Sequence, residues 1–334
     1  MKANQFSSET GKSCSVVIPV LNEARSLVQL LPEVAQVLTQ SGLRWEIVVV
    51  DDGGTDNLRE VIADFAEADS TRNVQLVRLS RNFGKEAALT AGLEHARGDA
   101  VLCMDGDGQH PPRLILEMIR LWQQGNEMVI AVQRMRTGEG LFLVKAKAIF
   151  YRILQGEGRF RIPPNAGDFR LMDRRVVRAL LRLPERSRYM KGLYAWIGFK
   201  TVMLPFDADP RWEGKSKFRF KQLSELALTG ITSFSMKPLR MVSRIGFGIS
   251  FLALLYGLYI VLETLLFGNE VSGWATLAAG IMLLSGIQLV CLGVIAEYLG
   301  RIFEEAKQRP LYIVSDTVDH SGLELEPERR ETAF

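Results

Sequence analysis

The stretch VLCMDGDGQHPP, residues 101–112, runs an apolar segment straight into two aspartates one residue apart, then glutamine, histidine and two prolines. The apolar segment reads as a buried strand, and the prolines open whatever follows. Asp105 and Asp107 therefore sit at the carboxyl end of a strand, the edge where α/β sheets bind ligands. Two hard oxygen donors so close together repel each other unless a cation lies between them, so the stretch reads as a metal site. It is not an EF-hand: the fifth, sixth and twelfth positions of that loop require an oxygen ligand, glycine and glutamate, and here they hold Gln109, His110 and Leu116. Taken alone, the pair would by default be read as a solvated turn that caps the helix after Pro111. The rest of the chain decides between the two.

Outward from this strand, SVVIPV, WEIVVVDD, NVQLVRLS, AVLCMDGD and MVIAV read as strands between Ser15 and Val132. Leu27, Leu30, Leu31, Val34 and Leu38 give the spacing of an amphipathic helix between the first two. Strands alternating with helices predict an α/β fold, a parallel-rich sheet with helices on both faces. Three strands end in polar groups: Pro19, Asn22 and Glu23 after the first, Asp51 and Asp52 after the second, Asp105 and Asp107 after the fourth. No GxxxxGK[ST] loop and no GxGxxG turn occurs, which excludes a P-loop NTPase and a dinucleotide dehydrogenase. A diphosphate at this edge would have to be held through a divalent ion between carboxylates and phosphates.

The chain has 334 residues and a formal charge of +3, which argues against a dedicated nucleic-acid binder. Cys14, Cys103 and Cys291 lie far apart with no CxxC spacing, so neither a disulfide scaffold nor a zinc site is expected. The polar start MKANQFSSETGKS carries no secretory signal pattern. Two apolar runs, Ile245 to Phe267 and Trp274 to Ile295, each exceed the ~20 residues needed to cross a bilayer. Between them lies GNEVSG, without Lys or Arg, whereas Lys237, Arg240 and Arg244 precede the first run and Arg301, Lys307 and Arg309 follow the second. The positive-inside rule then places both outer flanks in the cytoplasm, which predicts a multi-pass hairpin anchor in the inner (cytoplasmic) membrane with both termini cytoplasmic.

The expected boundaries are a flexible start at 1–12, a catalytic domain at 13–218, amphipathic juxtamembrane helices at 219–243, the spans within 244–300, and a cytoplasmic segment with a disordered tail at 301–334. The juxtamembrane expectation rests on Leu223, Leu226, Ala227, Ile231 and Phe234 at helical spacing. That of the tail rests on the acidic, polar run after Val314. Arg134 lies in the charged loop QRMRTGEG, where anion binding and simple solvation are about equally well supported. RWEGKSKFRFK, with Lys215, Ser216 and Lys217, suits a phosphate or an anionic membrane surface. Lys85 stands at a helix start, where the dipole disfavours a cation; an anionic partner such as a diphosphate and a simple surface lysine are about equally well supported.

In order along the chain, SVVIPVLNE, VVVDDGGTD, LSRNFGKEAALTAGL, MDGDGQHPP, AGDFRLMDRRVV and RWEGKSKF resemble glycosyltransferase family 2, in its polyprenyl-phosphate branch. The similarity runs from Ser13 to about Pro310. It implies a GT-A type fold followed by amphipathic interface helices and a two-helix transmembrane hairpin. It also implies inverting transfer of a sugar from a nucleotide sugar, UDP-glucose first, to a polyprenyl phosphate such as undecaprenyl phosphate. By position, Pro19, Val20, Asn22, Glu23, Asp51, Asp52, Lys85 and Asp105 would bind the nucleotide sugar. Asp105, Asp107 and Gln109 would hold Mg²⁺ or Mn²⁺; Asp107, Asp168 and Arg170 would be catalytic. Arg134, Arg170, Lys215, Ser216 and Lys217 would bind the acceptor phosphate. Gly54 stands where a serine is usual, and Gly106 and Gly108 replace the usual Ala and Leu. A GDP-mannose-using dolichyl- or polyprenyl-phosphate mannosyltransferase and a non-catalytic nucleotide-sugar-binding scaffold are the rivals. Self-association is compatible with a two-helix anchor, which buries little by itself.

Overall fold

The structure is a computed structural model that describes residues 11–69, 71–134, 166–186, 188–207, 237–267 and 273–323. The chain divides into two compact units: one of residues 1–140, 160–220 and 309–334, the other of residues 141–159 and 221–308.

In the first unit the expected strands form, each with its helix: β1 (Ser13–Val20), α1 (Ala24–Gln40), β2 (Arg44–Asp51), α2 (Leu58–Glu67), β3 (Val74–Leu79), α3 (Lys85–His95), β4 (Ala100–Cys103), α4 (Leu114–Gln123) and β5 (Met128–Gln133). There follow β6 (Ala166–Asp173), α5 (Arg174–Leu181), α6 (Met190–Trp196) and β7 (Thr201–Phe206), and, from the far end of the chain, β8 (Val314–Asp319). All lie in one eight-stranded sheet of order β7-β5-β6-β4-β1-β2-β3-β8. β6 pairs antiparallel with both β4 and β5, and β8 antiparallel with β3, so the sheet is mixed.

Every residue of β1 is buried, as is β2 beyond its first residue, because helices cover both faces. Leu27, Leu30, Leu31, Val34 and Leu38 of α1, all fully buried, form the predicted stripe against the sheet. Helix α3 approaches β1 so closely that a Cβ at Gly92 would lie 2.2 Å from Val17 Cγ1, and only glycine fits there. The connections after β1 and β3 lead to opposite sides of β1. The crevice between the carboxyl ends of β1 and β4 is therefore a topological switch point, where such sheets take ligands.

The expectation of a disordered tail after Val314 is corrected here. Val314–Asp319 is an edge strand in register with β3, Gln75 opposite Asp319 and Arg78 opposite Asp316. The backbone of this segment is bonded at both ends, Ser80 N donating to Ile313 O at 2.8 Å and His320 N to Val74 O at 2.9 Å. Arg97 reaches Asp319 and, at 2.8 Å, Leu323 O; Ser321 Oγ donates to the buried Glu46 carboxylate at 2.7 Å. The sheet that begins at Ser13 is completed only by residues beyond the apolar hairpin.

In the second unit α7 (Lys237–Phe267) and α8 (Trp274–Ala306) are long continuous helices. Each contains a window apolar and long enough to cross a membrane, Leu239–Tyr259 and Leu283–Ala306. Their large side chains are exposed, Phe247 to 79 % and Leu265 to 76 %, a surface that water would not tolerate. Residues 237–243, expected to close a separate juxtamembrane segment, belong to the same helix as the first apolar run. Residues 219–236 of that expected segment lie outside the described residues.

Candidate active site

The loop after β1 and the loop after β2 hold each other. Asp52 N donates to Val20 O at 2.9 Å, which continues the β1–β2 pairing past Asp51. Asn22 takes the left-handed conformation (φ 56°), tolerable for asparagine, and its Oδ1 accepts from Thr55 N at 2.8 Å. Asp51 is buried; its Oδ1 accepts from Gly54 N at 2.6 Å and its Oδ2 from Arg78 Nε at 3.1 Å. Asp52 is buried as well, accepting from Phe83 N at 2.7 Å and Gly84 N at 3.0 Å; burial nevertheless raises its pKa. Gly53 has φ +72°, and a Cβ there would fall 2.4 Å from the Arg81 backbone, so glycine is required. Pro19 lies opposite Val50 within the sheet, and Val20 is buried behind the loop.

The loop after β4 is fixed from below. Asp105 N donates to His110 Nδ1 at 3.0 Å, and the His110 ring stacks on Phe169 with centroids 4.6 Å apart. Burial lowers the His110 pKa, so the imidazole is a neutral acceptor and carries its proton on Nε2. His110 holds the aspartate loop, a contact that sequence reasoning did not reveal. Asp107 Oδ1 accepts from Gln109 N at 3.1 Å.

Lys85, the first residue of α3, bridges two carboxylates: its Nζ lies 2.7 Å from Asp105 Oδ1 and 2.9 Å from Asp168 Oδ2. Burial opposes the ammonium charge, but Asp168 and Asp105 outweigh it and hold the lysine pKa above its usual range. Burial likewise opposes the Asp168 charge, and Lys85, Lys191 and Arg170 together hold its pKa below the usual carboxylate range. The resemblance allows Asp168 a positioning or a weak-base role, and an anion held in this way suits positioning. Glu86, next in the chain, has the opposite character: burial, then Asp168, raises its pKa to about 8 against the pull of Lys85.

Arg170 departs from expectation. It is only 1 % exposed, with its guanidinium carbon 3.5 Å from the centroid of the Tyr194 ring and one nitrogen donating to Gly167 O. The guanidinium supports the Asp168 loop from behind and is not presented to an acceptor phosphate. Arg134 is exposed at the end of β5 and pairs with Asp207 at 3.3 Å, also exposed, so it remains accessible to an anion. Lys215, Ser216 and Lys217 lie outside the described residues. Sequence reasoning missed Arg78, Glu86 and Tyr194. The signal for Arg78 was present: a lone cation near the end of a mostly apolar, buried strand.

The structure therefore brings Asn22, Glu23, Asp51, Asp52, Lys85, Asp105, Asp107, Gln109 and Asp168 to the carboxyl edge around the switch point. Among the described residues no cluster of three or more His, Cys, Asp or Glu side chains forms a ready-made metal cage. Asp105, Asp107 and Gln109 nevertheless suit a hard divalent ion, provided that the remaining positions are filled by phosphate oxygens and water, as Mg²⁺ commonly requires.

Comparison with known proteins shows the family. The family described as Glycosyl transferase family 2 matches residues 15–181, and the GtrB C-terminal hairpin matches residues 237–302. An uncharacterised glycosyltransferase of Synechocystis sp. is 44 % identical over 93 % of this chain and 98 % of its own. A bactoprenol glucosyl transferase of Shigella phage SfV is 40 % identical over 90 % of this chain and 98 % of its own. Among solved structures, glucosyl-3-phosphoglycerate synthase from Mycobacterium tuberculosis superposes with a TM-score of 0.48 at 19 % identity, over 66 % of this chain and 77 % of that one. On the family match and these full-length relatives, the chain belongs to glycosyl transferase family 2 and carries the GtrB-type C-terminal hairpin.

Proposed function

We propose that the protein transfers glucose from UDP-glucose to a polyprenyl phosphate such as undecaprenyl phosphate, at the cytoplasmic face of a membrane that its hairpin spans. One observation carries this reading. Relatives named bactoprenol glucosyl transferase match at 40 % identity over some nine-tenths of the chain, the apolar hairpin included.

In this reading Pro19, Val20, Asn22, Glu23, Asp51 and Asp52 line the nucleotide, and Asp105, Asp107 and Gln109 face its diphosphate. A divalent ion, Mg²⁺ or Mn²⁺, held by those three would supply positive charge to the departing diphosphate. Lys85 adds a second cation beside Asp105, fixed in place by Asp168. The acceptor needs no strong base. A phosphate monoester has a second pKa near ~6, so its oxygen is already largely an anion at neutral pH. That oxygen attacks the anomeric carbon as the bond to the diphosphate breaks; UDP leaves, and the configuration at carbon inverts. Asp168, paired with Lys85 at 2.9 Å and held below the usual carboxylate range, is then not called on as a base. Arg134, with Lys215, Ser216 and Lys217, is assigned to the acceptor phosphate; Arg170 is not.

The test is transfer of labelled sugar from a panel of nucleotide sugars into organic-extractable lipid, with purified protein, undecaprenyl phosphate and Mg²⁺ or Mn²⁺. We expect label from UDP-glucose, and a fall of about 100-fold or more in Asp107→Asn, the scale set by removing a preorganised electrostatic contact. Label from GDP-mannose instead would replace the donor. Bound nucleotide with no lipid labelled by any donor would leave a binding scaffold.

A further inference from the structure

We propose that Arg78 is a positioning residue for the nucleotide subsite, transmitting the seating of the C-terminal strand β8 to Asp51 and Gly54; the proposal rests on the nucleotide role given above to the β2–α2 loop. Arg78 lies on β3 with its backbone opposite Asp51 of β2 on one side and Asp316 of β8 on the other. The β3–β8 ladder shifts register between Arg78 and Leu79, an irregularity of the kind that re-aims a side chain. From there Nε donates to Asp51 Oδ2 at 3.1 Å and Nη2 to Gly54 O at 3.1 Å. Since Asp51 Oδ1 accepts from Gly54 N at 2.6 Å, the three residues close a ring around the start of the loop.

β8 grips the same unit twice more. Ser315 Oγ donates to Arg78 O at 3.1 Å, and Asp316 Oδ2 lies 2.9 Å from Arg59 Nη1 in the first turn of α2, where the loop ends. The loop is thus held at its beginning and middle by Arg78 and at its end through Asp316. A forked guanidinium can serve two acceptors in different directions, which a lysine ammonium on a flexible stem does poorly. The Arg78 side chain is 39 % exposed, and pairs that open to water contribute little to folding. Its effect should therefore appear in nucleotide binding, where a preformed loop lowers the cost of ordering, more than in stability. By reciprocity, nucleotide bound at the loop must tighten β8.

The experiment uses the full-length protein in detergent with UDP and Mn²⁺ as the probe. Arg78→Met should weaken UDP binding and raise donor KM about tenfold, roughly the loss of one charge-assisted hydrogen bond, with kcat within about twofold of wild type and the melting midpoint nearly unmoved. Arg78→Lys should fall between the two. In hydrogen exchange, UDP should slow the amides of residues 313–320 in wild type and not in Arg78→Met. UDP binding by Arg78→Met equal to that of wild type would overturn the proposal, as would unchanged exchange at 313–320 in wild type with UDP bound. If Arg78→Met does not fold, Arg78→Gln reads the same KM split. Failure of the wild type to bind UDP would instead count against the nucleotide reading itself.

Discussion

Glu86 occupies the first turn of α3 beside Lys85, and its Oε2 is buried without a hydrogen-bond partner among the described residues. With its pKa raised to about 8, first by burial and then by Asp168, the side chain is protonated at neutral pH. In the unfolded chain a glutamate loses its proton near ~4.3. Between these values the folded state binds more protons than the unfolded state, so this group makes stability fall as pH rises, with no further loss above about 8. Glu86→Gln mimics the protonated acid and removes that slope. Melting midpoints of wild type and variant should nearly coincide at pH 5 and separate by pH 8.5, the variant being more stable. A gap that is the same at both pH values would mean that Glu86 is ionised in the fold. At this scale sequence read the residue types well and their partners poorly. The place of Asp105 and Asp107 at a strand's carboxyl end was legible because a continuous apolar run leads into them. The Lys85 bridge was not, because Asp168 lies 83 residues further along the chain, on a strand that runs antiparallel to β4. Nor was the burial of Arg170: nothing in GDFR says which way a strand's side chain faces until the strand's neighbours are known.

At the scale of elements, the strands rich in Val, Ile and Leu and the helix α1 stripe could be read directly, because burial on both faces leaves a continuous apolar signature. β8 left none. VSDTVD alternates between half-buried and exposed positions along a sheet edge, and its acids are answered by Arg59 and Arg97 from distant parts of the chain. Its pairing comes from the backbone ladder and not from apolar burial, so it resembles a tail in composition. Removing residues 311–334 should therefore cost far more than trimming a disordered end. It would bare the β3 edge, leave Glu46 without Ser321, and expose the site where Leu323 is buried. At ~1 kcal/mol for each ladder bond, a loss of at least ~3 kcal/mol is expected, with increased aggregation through the open edge. Chemical denaturation of the truncated and full-length proteins measures it. A midpoint unchanged by truncation would show that the strand contributes nothing to the fold.

At the scale of the whole molecule, the sequence order of the units is interrupted: the sheet opens the chain, the apolar hairpin follows, and β8 returns to the sheet. If the hairpin crosses the membrane, both helices must do so, since β7, before α7, and β8, after α8, lie in the same sheet. The Lys237, Arg240 and Arg244 flank and the Arg301, Lys307 and Arg309 flank then lie on one side, with GNEVSG on the other. Cysteine labelling can read this directly. Cys14 and Cys103 are buried, and burial pushes both thiols up to about 12, so they will not react at neutral pH in the folded protein. Cys291 →Ser therefore gives a silent background. In it, Asn269→Cys in the GNEVSG segment should react with a membrane-impermeant maleimide added to intact cells. Gln308→Cys, after the second helix, should react only once the membrane is permeabilised. The reverse pattern would place the catalytic edge outside the cell, away from cytoplasmic nucleotide sugars. Labelling of both positions in intact cells would mean that the hairpin does not span the membrane, and the lipid acceptor would then have to be sought elsewhere.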